Sequence, residues 1–189
     1  MLPGSDFMFK KLDILDEKDK RLRKISKEVT LPISEEYKKL IERMITELRY
    51  SQIEEYSEKY NLRPGMGLAF PQIGINERII VVVYEYDDGK FEEYAVINPK
   101  IVSTSNEVIA AEAGEGCLSV NRDVEGHVKR HARVTLEGYD VDGNKIKIRA
   151  REELAIAFQH EIDHLNGIIF YDRIDKKKPF YTEQEIRLI

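Results

Sequence analysis

The residues best suited to chemistry lie near the C-terminal end, in Gln159-His160-Glu161-Ile162-Asp163-His164. The spacing is His-Glu-x-x-His. On a helix, His160 and His164 stand one turn apart on one face. Two imidazoles so placed can hold one metal ion, with Glu161 beside them as a proton carrier. Histidines fall at this spacing by chance in many helices, but this chain has only four of them, which weakens coincidence as an explanation. Its one cysteine, Cys117, stands between Gly116 and Leu118. Most free cysteines are small buried hydrophobes. A thiolate joined to two imidazoles instead gives a three-ligand site with one position left open, the mark of a catalytic centre. A metal there lowers the pKa of a bound water towards neutrality. Glu161 is then placed to take the proton and deliver it to a leaving amine. His127 and His131 are also four apart, but in a stretch read as extended, where such a pair lies about 13 Å apart. Surface or supporting roles are expected for them.

The elements that must position these groups can be read from patterning. A helix is expected over Glu152–Leu165, with Leu154, Phe158 and Ile162 as an apolar stripe, Ala157, His160, Glu161 and His164 on an adjacent face, and Asn166-Gly167 as its C-cap. A second, N-terminal helix starts at Ser34, an N-cap followed by Glu35 and Glu36. It carries Tyr37, Leu40, Ile41, Met44, Ile45 and Leu48 at helical spacing and is expected to run on towards Tyr60. Between the helices, residues 79–84 read as a buried strand and 91–97 as another, broken by Asn98-Pro99. Residues 108–111 and 124–130 read as extended. Alternation about Asp142-Gly143-Asn144 predicts a hairpin of residues 132–137 with 145–149. Residues 168–171 read as a short apolar strand. Residues 11–30 read as an extended arm packing through Leu12, Ile14, Leu15, Leu22, Ile25 and Val29, and the tail from Asp175 as a polar surface segment. The expected architecture is α+β, with antiparallel strands packed around a central metal-binding helix. One catalytic domain is expected over residues 1–189, with 1–12 as an N-terminal arm and 175–189 as a C-terminal tail.

Bulk properties narrow the function. The net charge of −5 gives no general footprint for nucleic acid. A single cysteine forms no intrachain disulfide. The 42% hydrophobic and 34% charged residues are those of an ordinary globular protein, and no apolar run approaches membrane-spanning length. The start of the chain lacks the charged and apolar regions of a signal peptide. The glycine-bounded loop from Gly65 to Gly74 is not a phosphate loop, because no Lys-Ser or Lys-Thr follows and a strand comes next.

Three separated stretches together resemble the peptide deformylases. A Gly-x-Gly-Leu-Ala-Ala-Pro-Gln type loop is matched by Gly65-Met66-Gly67-Leu68-Ala69-Phe70-Pro71-Gln72. Glu-Gly-Cys-Leu-Ser is matched in full by Glu115 to Ser119, and Gln-His-Glu-x-Asp-His-Leu by Gln159 to Leu165. They come in the family's order, and the resemblance runs from about residue 12 to 175. Residues 50–63 and the Asp172-Arg173-Ile174-Asp175 ending resemble the longer, second bacterial class. The resemblance implies removal of the formyl group from the N-terminal formyl-methionine of new polypeptides. It implies Cys117, His160 and His164 as ligands of one divalent metal, ferrous iron in the cell, with zinc, nickel or cobalt in purified protein. It implies Glu161 as general acid and base, and the Gln72 side chain and the Leu118 N–H as donors to the carbonyl oxygen. Met66, Ile156, Ala157 and His160 are implied around the methionine side chain. Gly65 and Gly67 make sense as positions where loop backbone can pass close to a peptide substrate, Gly116 is expected with Gly67 at the substrate, and the resemblance implies Glu115 and Arg130 as an ion pair behind the metal motif. Nascent chains are the implied partner, with ribosome contact following from that substrate. No nucleic-acid readout and no membrane are expected, and the implied state is a cytoplasmic monomer.

Departures from the pattern bear on the groove. Phe70 stands where alanine is usual, and its bulk is either absorbed by repacking or narrows the groove beside Gln72. Glu153-Leu154 replaces an aromatic residue and proline, setting a charge near the pocket rim. The arm lacks a usual proline before Arg21. Two competing readings are a zinc endopeptidase, whose third ligand lies downstream of the helix, and a non-catalytic relative, which needs neither Glu161 nor Gln72.

Overall fold

The computed structural model describes residues 9–189, so the first eight residues of the expected 1–12 arm lie outside the described residues. Helix α1, Glu35–Gln52, starts where Ser34 Oγ accepts from Tyr37 N at 3.1 Å and satisfies an otherwise unpaired donor. It does not run on to Tyr60. Ile53 is extended, and a separate helix α2 spans Glu54–Tyr60 and ends at Asn61 in the left-handed region. The break has a tertiary cause. Gln52 Nε2 donates to Gly65 O at 3.0 Å and to Val83 O at 2.9 Å, pulling the helix end onto the sheet.

Five strands, β1 Gly67–Ala69, β2 Ile79–Glu85, β3 Phe91–Thr104, β6 Arg133–Tyr139 and β7 Lys145–Arg151, form one antiparallel sheet in the order β1-β2-β3-β6-β7. The continuous apolar run of β2 has a simple explanation. Ile79, Val81 and Val83 belong to the core cluster of α1, while Ile80 and Val82 belong to that of helix α3, Glu152–Leu165. With side chains alternating by residue, a strand covered on both faces must be apolar at every position. Helix α3 therefore lies in the interior, buried from Ala155 to Leu165, so its polar residues have to be satisfied by protein partners or by a ligand. Among the described residues, no helix is long and apolar enough to cross a membrane.

Other expectations are corrected by long-range contacts. Asn98-Pro99 does not end a strand. β3 continues through it with a register shift between Ile97 and Lys100, and Asn98 takes φ 51°. The Asn98 side chain accepts from Val29 N and donates to Val29 O, which stabilises the bulge. Of the stretch 124–130 read as extended, only Arg130 enters a strand. Residues Phe170–Arg173 form a 3-10 turn rather than a strand, with the Asp172 carboxylate accepting from Ile169 N. The tail is not only surface. β8, Arg187–Leu188, pairs parallel with β4, Val108–Ala110, which also pairs antiparallel with β5, Arg130–His131. Arg187 bonds to Glu107 and Glu152 at 2.6–2.8 Å, which fixes that pairing. Within the arm, Leu12, Leu22 and Val29 are buried, but Ile25 is 72% exposed. The position without the usual proline is occupied by a turn, Lys20–Arg23, capped by Asp19.

Candidate active site

On α3 the rings of His160 and His164 lie 5.1 Å apart between centroids. Cys117 arrives from residues 111–129, a stretch without helix or strand, and sets its Sγ 3.3 Å from His164 Nε2. The sulfur and one nitrogen of each histidine all lie within 4.8 Å of one another. His160 uses Nδ1 on Glu115 Oε1 at 2.8 Å. Arg130 bonds both oxygens of Glu115 at 2.9 Å and reaches Asp163 Oδ2 at 2.6 Å, and Arg173 bonds both oxygens of Asp163. The Arg130 and Glu115 side chains are only 3% and 5% exposed, so each charge depends on the other. Burial alone would raise the Glu115 pKa, but hydrogen bonds from His160 and Arg130 outweigh it and hold it at about 2.

The donor set fits a metal. Burial works against a proton on His160, yet the Cys117 sulfur and Glu115 raise its pKa well above the usual value. In His164, burial and then the His160 charge push it well below. His164 Nδ1 and Glu161 Oε2 are buried without a protein partner. A thiol and two imidazoles buried against one another are the chemistry that a divalent cation satisfies.

Glu161 is buried beside this cluster. Burial raises its pKa, opposed by His160 and Arg130 and assisted by Glu115 and Asp163, to about 7. Gly67 makes room for it: a Cβ on Gly67 would meet Glu161 Oε1 at 2.6 Å. Gln72 is buried on the turn Phe70–Ile73. Its Oε1 accepts from Ala69 N, and its Nε2 donates to Ser119 Oγ at 3.1 Å and lies 3.6 Å from Cys117 Sγ.

A groove of about 530 Å³ runs over the cluster. Met66, Gly67, Gln72, Glu115, Gly116, Cys117, Leu118, Ile156, Ala157, His160 and Glu161 line it, so it gathers the sequence-predicted residues except His164 and Arg130, which are buried behind. Phe70 does not narrow it. The ring is fully buried, edge-on to Tyr37 at 5.2 Å, in the core under α1. Glu153 stands exposed at the rim. His127 is buried rather than at the surface. Its Nδ1 accepts from Tyr181 N and its Nε2 contacts Glu112 O, tying down the tail. Sequence reasoning missed Arg63, whose guanidinium donates to Cys117 O, Val120 O and Asn121 Oδ1 and so holds the cysteine loop. A lone arginine before a proline gives no pattern that would have found it.

An interior helix bearing His-Glu-x-x-His, met by a cysteine from a distant loop over a peptide-sized groove, defines a metallohydrolase. A family model described as polypeptide deformylase matches residues 11–180. The chain belongs to this family, metal-dependent enzymes that remove the formyl group from N-terminal formyl-methionine. It is 47% identical over 168 residues to peptide deformylase 2 of Bacillus anthracis, covering 89% of this chain and 91% of that protein. It is 48% identical over the same length and shares to peptide deformylase 2 of Geobacillus stearothermophilus. Among solved structures, the Thermotoga maritima peptide deformylase is similar at a TM-score of 0.68 and 36% identity, over 87% of this chain and 97% of that one.

Proposed function

We propose that Cys117, His160 and His164 hold one divalent metal, ferrous iron in the cell, and that zinc, nickel or cobalt can occupy the same donors. When bound, the metal supplies Lewis-acid polarisation and a water that ionises near neutral pH. Glu161 takes a proton from the attacking water and returns it to the leaving methionine amine. A pKa of about 7 suits both halves of that exchange. As negative charge develops on the formyl oxygen, Gln72 Nε2–H and Leu118 N–H receive it as donors fixed in advance. Glu115 and Arg130 hold the His160 ring and its tautomer.

Among the described residues β1 pairs only with β2, and its other edge, where Ala69 N is taken by Gln72, offers Gly67 to an extended peptide. The formyl-methionyl chain lies along Gly67 with Gly116 opposite, and the methionine side chain enters between Met66, Ile156, Ala157 and His160. An Acinetobacter baumannii peptide deformylase structure, 26% identical, is described as Met-Ala-Ser bound, which supports a free N-terminal methionine as product. The chain acts as one catalytic domain, a cytoplasmic monomer working on nascent chains as they leave the ribosome.

The observation that carries this reading is the approach of Gln72 Nε2 to Cys117 Sγ beside the buried carboxyl of Glu161. The test is formate release from formyl-Met-Ala-Ser by anaerobically prepared, iron-loaded protein, with metal analysis of the same sample. Turnover with about one iron per chain is expected. A metal-loaded protein that releases no formate sinks the assignment.

A further inference from the structure

The two proposed oxyanion donors stand on different segments. Gln72 belongs to a four-residue turn tied to β1 through Ala69. Leu118 belongs to the irregular 111–129 stretch, which takes no part in either sheet. Something outside the sheets has to fix their separation. Arg63 holds the second segment, and the Gln72 side chain reaches Ser119. A third set of ties joins the main chains of both. Leu15 N donates to Gln72 O at 2.8 Å, and Glu17 N donates to Ser119 O at 2.7 Å.

We propose that residues 12–17 are a strap that sets the spacing of the oxyanion donors, with the main-chain N–H groups of Leu15 and Glu17 as the positioning groups. The proposal rests on the reading of Gln72 and Leu118 as donors. Leu15 lies just ahead of a turn closed by Asp19 N donating to Asp16 O at 2.9 Å, and Glu17 lies inside it; where the chain leading into such a turn is extended, N–H groups two residues apart point to the same side, roughly 6.6 Å from each other. One short segment can therefore bond a carbonyl from each loop. A slip of one residue would turn both N–H groups away, so the register has to be pinned at both ends. At the upstream end, Leu12 is buried, and its N–H donates at 2.6 Å to Glu47 Oε2, a buried carboxylate on α1. At the downstream end, Arg122 bonds both oxygens of Glu17 at 2.7 and 3.1 Å, and Asn121 Nδ2 donates to Asp16 Oδ2 at 3.0 Å. Both downstream partners follow Leu118 within a few residues, so the strap and the donor segment are held as one piece.

The test replaces single N–H groups by ester oxygen, using α-hydroxy acids at position 15 or 17. The control is the same change at Lys27, whose N–H donates to Asn76 O at 3.1 Å on the same arm but touches neither donor segment. Removing an oxyanion donor outright lowers kcat by about 10²–10³, so loosening one is expected to lower kcat about tenfold. KM and bound iron should stay within about twofold of the parent, and the position-27 ester should lower thermal stability comparably while leaving kcat unchanged. In a Gln72→Ala background, the position-15 ester should add little further loss. Equal kcat for all three esters overturns the strap, as does a loss that moves with KM or metal content. If Gln72→Ala itself leaves kcat intact, the donor reading fails instead, and the two failures are distinguishable.

Discussion

Gly67→Ala tests how tightly the groove and the acid/base residue are built together. Gly67 does not have a positive φ, so alanine is acceptable to the backbone. The obstacle is space. The new Cβ would lie 2.6 Å from Glu161 Oε1, 2.7 Å from Cγ and 2.8 Å from Cδ. Oε1 must retreat by about 0.8 Å to reach ordinary contact, and because the residue is buried on an interior helix the carboxyl can yield only by swinging towards the groove, away from its place beside the cluster. Overpacking of this kind typically destabilises by about 1–3 kcal/mol. A displacement near 1 Å of a reacting group lowers turnover by about 10²-fold. The assay is formate release from a formyl-Met peptide, with urea denaturation and metal analysis on the same preparations. Expected results are a kcat loss on the order of 100-fold, retained metal and a lower denaturation midpoint. Glu161→Ala removes all three clashing atoms, so in that background the stability loss from Gly67→Ala should disappear while the protein stays inactive. A Gly67→Ala enzyme with parental kcat would refute the reasoning, as would a stability loss that persists in the Glu161→Ala background.

Glu115→Gln keeps the shape but weakens the acceptor for His160 Nδ1 and leaves Arg130 partly unpaired, so iron affinity should fall about 10–100-fold in a competitive chelator titration. Glu47 gives a stability prediction with a definite sign. Burial raises its pKa in the folded state above the ordinary 4.5. The neutral form is therefore favoured by folding, and the stability it contributes is fully present below 4.5 and is lost as pH rises through the folded value. Glu47→Gln should flatten that decline above pH 4.5 in urea titrations, and an unchanged slope would remove Glu47 as its source. If the proposed ligand set is right, chelation should lower the thermal midpoint by an amount that grows with the free chelator concentration, because Cys117, His160 and His164 come within 4.8 Å of one another only in the folded chain.

Much of the site is legible in the sequence. The Ser34 cap, the Asn166 end of the metal-motif helix and the hairpin at Asp142-Gly143-Asn144 follow from local patterning, because caps and turns are satisfied within a few residues, whereas the Glu152 start of that helix has no side-chain cap and is held by Ala132 O and Arg187. The donor set was also legible, since a lone cysteine and a His-Glu-x-x-His pair have few chemical alternatives. What local pattern could not contain was decided by partners far away in sequence. Asn98-Pro99 looks like a strand end until Val29 bonds the bulge. The tail looks like surface until β4 offers it an edge and Glu107 and Glu152 receive Arg187. Phe70 was ambiguous until Tyr37 and the core under α1 took its ring. Arg63 and the proposed strap tie loops together, and Arg173 ties a turn back to Asp163 on α3. Sequence determined which groups could react, because reactivity belongs to side chains and their short-range spacing. Helical spacing already set His160 against His164, but tertiary structure alone brought Cys117, Gln72 and Glu115 to them and buried the set, because those contacts join residues far apart along the chain.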